Sequence, residues 1–327
     1  MCIRDSISPT RFERYISCPF AYFMQYVLGA RPRQKAELAP NISGTLTHWV
    51  LEQALRREGS AFAKLTQPQL EQLVESLVQE YTAANLPGAG VRMNYLLGRI
   101  QRNLVGLLGF IQRDVRQSGF QPVAFELRID DRPDSDDPDA PRVDPVQLDD
   151  GRGHTVRIVG TVDRVDTMEL GGKTYIRVVD YKTGTKKFDL REVYYGLDCQ
   201  MLLYLFSLTR DADGRFTGAE PAGVLYLLAD PAPETTTRGK AARSMEYKLD
   251  GLVRDEQKVF DAMDAEETGR YLPFSFRNGV PSPYQKEKRA DKAKLSRIQL
   301  HLDDLVTQMG ERLYGCLLYT SDAADDL

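Results

Sequence analysis

The sequence predicts an α/β protein, a mixed β-sheet flanked by helices with an N-terminal helical segment. Three observations predict it. Residues 43–118 carry apolar positions at helical spacing, and residues 121–129 and 157–182 switch to β-branched runs. Residues 193–208 then return to a nearly continuous apolar helix ahead of another buried strand at 222–229.

Taken in order, Ser8-Pro9 reads as an N-cap followed by proline at the first helical position, and Phe12, Tyr15 and Ile16 continue at helical spacing. Cys18-Pro19-Phe20 ends that helix, and residues 21–28 begin another. Tyr15, Phe20, Tyr22, Phe23 and Tyr26 are expected in the core rather than stacked on nucleic acid. After a basic linker at 31–35, residues 43–52 open a helix carrying His48, with Gly44 one turn earlier leaving room for an approaching group. Two amphipathic helices are expected at 67–84 and 91–118, separated by a Leu-Pro-Gly-Ala-Gly break. On the strand 121–129, Val123, Phe125, Leu127 and Ile129 alternate with Ala124, Glu126 and Arg128. A glutamate there is ordinarily a solvated outward residue.

Gly171-Gly172 lies between two β-branched runs, the signal of a two-residue hairpin turn whose central residues need positive φ. With these glycines at the turn, Leu170 faces Lys173, and counting outward puts Asp163 opposite Asp180. Asp180 and Lys182 share a face, which Asp163 joins in this register; a slip by one residue would scatter them. Beyond the hairpin, Gln200 and Tyr204 are four apart on one face of the helix 193–208. A short strand at 245–249 and helices at 252–267 and 286–313 complete the expected elements.

Composition bounds the function. With 327 residues, 42% hydrophobic and 28% charged, the chain matches a soluble globular protein, and no run is long enough to span a bilayer. A cytoplasmic protein without membrane association is expected. The formal net charge of −4 argues against a protein that coats nucleic acid along its whole surface. Acid gathers at 130–150, which reads as a solvated loop, while base gathers at 31–35, 182–187 and 286–294. Cys2, Cys18, Cys199 and Cys316 lack paired spacing, so no disulfide framework is expected. Residues 1–6 and 316–327 read as foreign, adapter-derived tails of a metagenomic fragment. Residues 7–120 form the helical part, and 121–315 the core with its C-terminal helices.

Two carboxylates opposed within apolar strands repel each other and resist desolvation unless a cation lies between them. A hard, oxygen-rich donor set suits Mg²⁺ or Mn²⁺. Lys182 beside them is placed to hold an attacking water or to stabilise charge growing on a phosphate. Asp-x-Lys alone is equally the mark of a solvated strand end.

Five patterns in order decide between these readings: Gly44-x-x-x-His48, Glu126, Gly160-x-Val162-Asp163-Arg164-x-Asp166, Asp180-Tyr181-Lys182-Thr183-Gly184 and Gln200-x-x-x-Tyr204. Together they resemble the RecB-like branch of the PD-(D/E)XK nucleases, in particular the nuclease domain of the B subunit of AddAB-type ATP-dependent helicase-nucleases. The resemblance implies a restriction-endonuclease-like fold and a Mg²⁺- or Mn²⁺-dependent DNA exonuclease. It further implies that the enzyme degrades the 5′-terminated strand at double-strand ends for recombinational repair, partnered by DNA and by the A subunit of such a heterodimer. By the same resemblance, His48, Asp163, Asp180 and the Tyr181 carbonyl are metal ligands, Glu126 a supporting acid and Lys182 the catalytic lysine. Gln200 and Tyr204 contact DNA or orient the site. Cys18 would ligate a [4Fe–4S] cluster whose three partner cysteines this sequence lacks. The alternatives are a stand-alone exonuclease and a catalytically silent DNA-binding scaffold of the same fold.

Overall fold

The computed structural model describes residues 6–30, 41–86, 90–133, 141–182, 187–210, 214–229, 247–266, 269–277 and 279–314. Cys2, Cys316, Thr183 and Gly184, with nearly all of the two expected foreign tails, lie outside the described residues, as does the start of the strand expected at 245–249.

A seven-stranded mixed sheet organises the molecule. Its strands are β1 (Gln121–Ile129), β2 (Arg142–Val143), β3 (Gly160–Leu170), β4 (Lys173–Lys182), β5 (Glu220–Leu228), β6 (Leu249–Arg254) and β7 (Arg289–Ala290). They lie in the order β7-β6-β5-β4-β3-β1-β2. The β3–β4 hairpin is antiparallel, whereas β4 and β5 run parallel. A parallel pair needs a crossover, and α5 (Gln200–Thr209) lies between the two strands in sequence. A small sheet joins Ser6–Ile7, Thr155–Ile158 and Gln147–Asp149.

Helices cover both faces. On one side α2 (Asn41–Glu58), α3 (Gln67–Asn85) and α4 (Val91–Gln117) pack on Tyr175, Val179 and Tyr181 of β4. On the other, α1 (Pro9–Ser17), α5 and α7 (Lys292–Tyr314) pack on Ile176 and Val178. This alternation along one strand is the period-two geometry of a sheet buried on both faces. In α5 every residue from Met201 to Leu208 is buried, and each large apolar side chain there contributes about 1.5–3 kcal/mol. No described helix is long and apolar enough to cross a membrane.

Some expectations need correction. The apolar run 193–208 is two helices, Leu190–Tyr194 and α5, because Gly196 and Asp198 take left-handed φ values of 80° and 54°. Residues 252–254 are strand, not helix: Val224 pairs with Leu252 and Gly223 with Val253. Gly251 permits this approach, since a Cβ there would meet the Val224 carbonyl oxygen at 2.0 Å. Sheet pairing overrides the helical pattern, which survives only in α6 (Gln257–Met263). The last helix begins at Lys292, after a 3-10 turn and β7, and not at 286. Residues 21–28 are a short α-helical turn running into a π-helical one, and Phe20 is 53% exposed, outside the expected core.

Candidate metal centre and active site

The hairpin follows the register counted from its turn. Gly171 and Gly172 have φ of 61° and 73°, and the pairs run from Leu170 and Lys173 to Arg164 and Val179. The next pair would be Asp163 with Asp180, and there the ladder stops. Asp163 Oδ2 instead accepts the Tyr181 N–H at 3.1 Å. The two strands part where the carboxylates lie, and a side chain replaces the missing backbone partner.

On the neighbouring strand, Glu126 occupies the position facing Asp163, between the pairs Phe125–Arg164 and Leu127–Val162. Its φ is 45°, a left-handed conformation that is costly for a residue with a side chain in mid-strand. The kink reverses the expected alternation: Leu127 and Ile129 join Ala124 in the core beneath α1 and α5, whereas Phe125 packs on the α2–α4 side. It also brings the Glu126 carboxylate to His48 Nδ1 at 4.0 Å. Glu126 is therefore not the ordinary outward glutamate its strand position suggests.

His48 reaches across from α2. Its Nε2 meets the Tyr181 carbonyl oxygen at 2.9 Å and its Nδ1 lies 3.3 Å from Asp163 Oδ2. A carbonyl only accepts, so Nε2 carries the proton and the hydrogen bond fixes the ring's orientation. Nδ1 is then turned towards two carboxylates. One donor atom from each of His48, Glu126 and Asp163 lies within 4.8 Å of the others.

Asp180 and Lys182 form the second half of the site. Lys182 Nζ is 2.8 Å from Asp180 Oδ2, yet that buried oxygen has no hydrogen bond. The pair is an ion contact that leaves the oxygen's directional bonding capacity unspent. Electrostatics registers the crowding. Burial, then the Asp180 charge, pushes the Asp163 carboxyl up to about 7. Burial chiefly raises Glu126 as well, with Glu52 and Asp180 adding to the effect. Tyr204 lies close enough for both aspartates to act on it, and burial first pushes its hydroxyl up to about 12. Gln200 and the Thr161 N–H hydrogen-bond to that hydroxyl. Gly160 makes the approach possible, because a Cβ there would lie 2.2 Å from the Tyr204 oxygen.

These donors fit a divalent cation: hard oxygens and one imidazole nitrogen, an unspent buried Asp180 oxygen, and carboxylates held above their ordinary pKa for want of positive charge. His48, Glu126, Asp163, Asp180, Lys182, Gln200 and Tyr204 converge. Cys18 stands apart at the end of α1, half-buried and free. Cys199 is buried at the start of α5 with its thiol directed to the Leu197 carbonyl, so the described residues do not supply the thiolates of an iron–sulfur cluster.

Sequence reasoning overlooked Glu52 and Arg56, one and two turns beyond His48. Arg56 donates to the Phe125 carbonyl at 3.1 Å and pairs with Glu52 at 3.0 Å, bracing the kinked strand against α2. Their four-residue spacing from His48 was the available signal. It also overlooked Tyr226, paired with Asp180 on β5, whose hydroxyl donates to Asp198 at 3.2 Å.

A mixed sheet whose splayed central strands present an Asp, an Asp-x-Lys and a helix-borne His defines a metal-dependent phosphodiesterase of the restriction-endonuclease type. The profile of the PD-(D/E)XK nuclease superfamily matches residues 6–309, and the chain belongs to that superfamily. Among curated relatives, the B subunit of the ATP-dependent helicase/deoxyribonuclease of Thermoanaerobacter sp. (strain X514) is 28% identical over 94% of this chain and 27% of its own length. The proteins of the same name from Clostridium perfringens (strain SM101 / Type A) and Clostridioides difficile (strain 630) are 32% and 31% identical, over 79% and 80% of this chain. Each is matched over 23% of its own length. The chain thus spans about a quarter of these relatives.

Proposed function

We propose that this chain is the DNA exonuclease domain of the B subunit of a helicase-nuclease. The observation that carries the reading is the convergence of His48, Glu126, Asp163 and Asp180 beside Lys182 where the hairpin parts. In this reading those four residues hold Mg²⁺ or Mn²⁺, with the Tyr181 carbonyl both orienting His48 and available as a further donor. Such a cation, when bound, supplies Lewis acidity towards a phosphodiester.

The protein's own groups have separate tasks. The Lys182 ammonium orients the attacking water and offsets charge growing on the phosphate. Glu126, held above its ordinary pKa, takes a proton from that water near neutral pH. Tyr204 stays protonated at neutral pH, and with Gln200 and the Thr161 N–H on its oxygen, its own proton is left to donate to DNA or a carboxylate. By analogy with the relatives' names, the domain acts within a larger cytoplasmic assembly that includes an A subunit, trimming the 5′-terminated strand at DNA ends for recombination. Cys18 would serve a [4Fe–4S] cluster only with cysteines from outside the described residues.

The test is cleavage of end-labelled DNA with Mg²⁺ or Mn²⁺. Asp180→Asn should abolish cleavage and weaken Mn²⁺ binding measured by calorimetry, leaving the circular dichroism spectrum unchanged. Cleavage at the wild-type rate by the variant would defeat the assignment. Failure of the parent chain to bind either cation would favour the silent-scaffold alternative.

A further inference from the structure

A groove of about 1120 Å³ runs between residues 187–194 and the segment from Lys286 to His301. It exceeds the ~300–1,000 Å³ of an ordinary small-molecule pocket. Six of its fourteen lining residues are Lys or Arg and two are carboxylates, in a chain of formal net charge −4. Among the described residues, Lys187, Lys286 and Arg297 have no carboxylate partner.

The groove is built rather than loose. Lys288 Nζ bridges its two walls, donating to the Phe188 carbonyl at 2.7 Å and to Asp250 at 2.6 Å. His301 Nε2 meets the Tyr194 carbonyl oxygen at 2.8 Å, and the two rings stack at 5.0 Å and 11°. Tyr194 nevertheless remains 64% exposed and its neighbour Tyr195 68%. Large aromatic faces kept in water beside unneutralised cations suit a ligand that brings both phosphates and open base faces.

The groove also leads to the active site. A small recess lined by Lys182, Lys187, Phe188, Asp198 and Tyr226 contains the catalytic lysine together with two residues of the groove wall.

We propose that this groove is the track holding a single strand of DNA on its way to or from Lys182, with Lys187, Lys286 and Arg297 meeting phosphates and Tyr194 stacking on a base. The proposal rests on the nuclease reading for its direction of travel. A duplex, whose bases are already stacked and paired, offers the tyrosine nothing to stack on.

The experiment is fluorescence anisotropy of a labelled oligothymidylate with the 327-residue chain in EDTA, where metal-dependent cleavage is silent. Lys286→Gln/Arg297→Gln should bind about tenfold more weakly, and the slope of log affinity against log salt should become shallower by about 0.7 for each cation removed. Tyr194→Ala should lose about fivefold or more, with Tyr194→Phe restoring most of it. Thermal melting checks that each variant is folded. Unchanged affinity and salt slope would overturn the proposal, as would a duplex of equal length binding equally well with the same sensitivity to the variants. If the variants lose only their association with another protein, the groove is a protein interface and the proposal falls. Asp180→Asn should still bind the oligonucleotide. If the parent chain binds through these residues but cuts nothing with Mg²⁺ or Mn²⁺, the nuclease reading falls and the track stands.

Discussion

One hairpin carries two buried clusters of charge that the protein treats in opposite ways. In the first, Arg164 and Arg177 grip Asp166, with Arg164 Nε at 2.6 Å and Arg177 Nε at 2.7 Å from its oxygens. Arg177 Nη2 also reaches Asp114 of α4 at 2.8 Å. In the second, Asp163 and Asp180 share one close ammonium from Lys182 and an imidazole whose nearest proton is committed to a carbonyl. Burial raises both carboxyls, but around Asp166 two guanidiniums outweigh it and the pKa falls, whereas Asp163 is left at about 7. A structural carboxylate is neutralised by its own chain, and a functional one is left short of charge.

This contrast can be broken experimentally. The largest expected effect is on chemistry: Asp180→Asn should lower the cleavage rate by about 10²–10⁴-fold, several kcal/mol of transition-state stabilisation. Its resistance to urea, measured without metal, should not fall, because the substitution removes a repulsion. Next, Arg177→Met should cost about 3–5 kcal/mol in urea titration, because it strands Asp166 and Asp114 in the interior. A smaller loss than that of an ordinary core substitution would erase the distinction between the clusters.

The two carboxyls should also give opposite pH responses. Asp163 has a folded pKa above its unfolded value, so its contribution to stability is complete near pH 4 and is lost as pH rises through about 7. Asp166, with a depressed pKa, stabilises above about pH 4 and loses that contribution in acid. Metal-free denaturation across pH 4–8 should therefore flatten in Asp163→Asn. A slope unchanged in the variant would contradict the assignment.

The smallest effect concerns the Gly160–Tyr204 contact. Gly160→Ala should cost about 1–3 kcal/mol by overpacking against the Tyr204 ring. Most of that cost should vanish in a Tyr204→Ala background, because the clash then has no partner. Additive costs would show that the glycine serves something else.

The local signals were legible in the residues themselves. Gly171-Gly172 determined the hairpin turn and, by counting, the register that aligns Asp163 with Asp180, because side-chain direction in a strand has a strict period of two. Ser8-Pro9, the apolar stripes of α3 and α4, and the four-residue spacing of Gln200 and Tyr204 likewise announced their elements.

Only the tertiary structure decided the rest. The left-handed kink at Glu126, the parting of β3 from β4, the reach of His48 across to Tyr181 and the strand formed by residues 252–254 all depend on partners distant in sequence. Periodicity reports which face a side chain takes while its strand stays regular. A metal site of this kind is made where the strands stop being regular, and that departure is set by packing between elements, which no local pattern records.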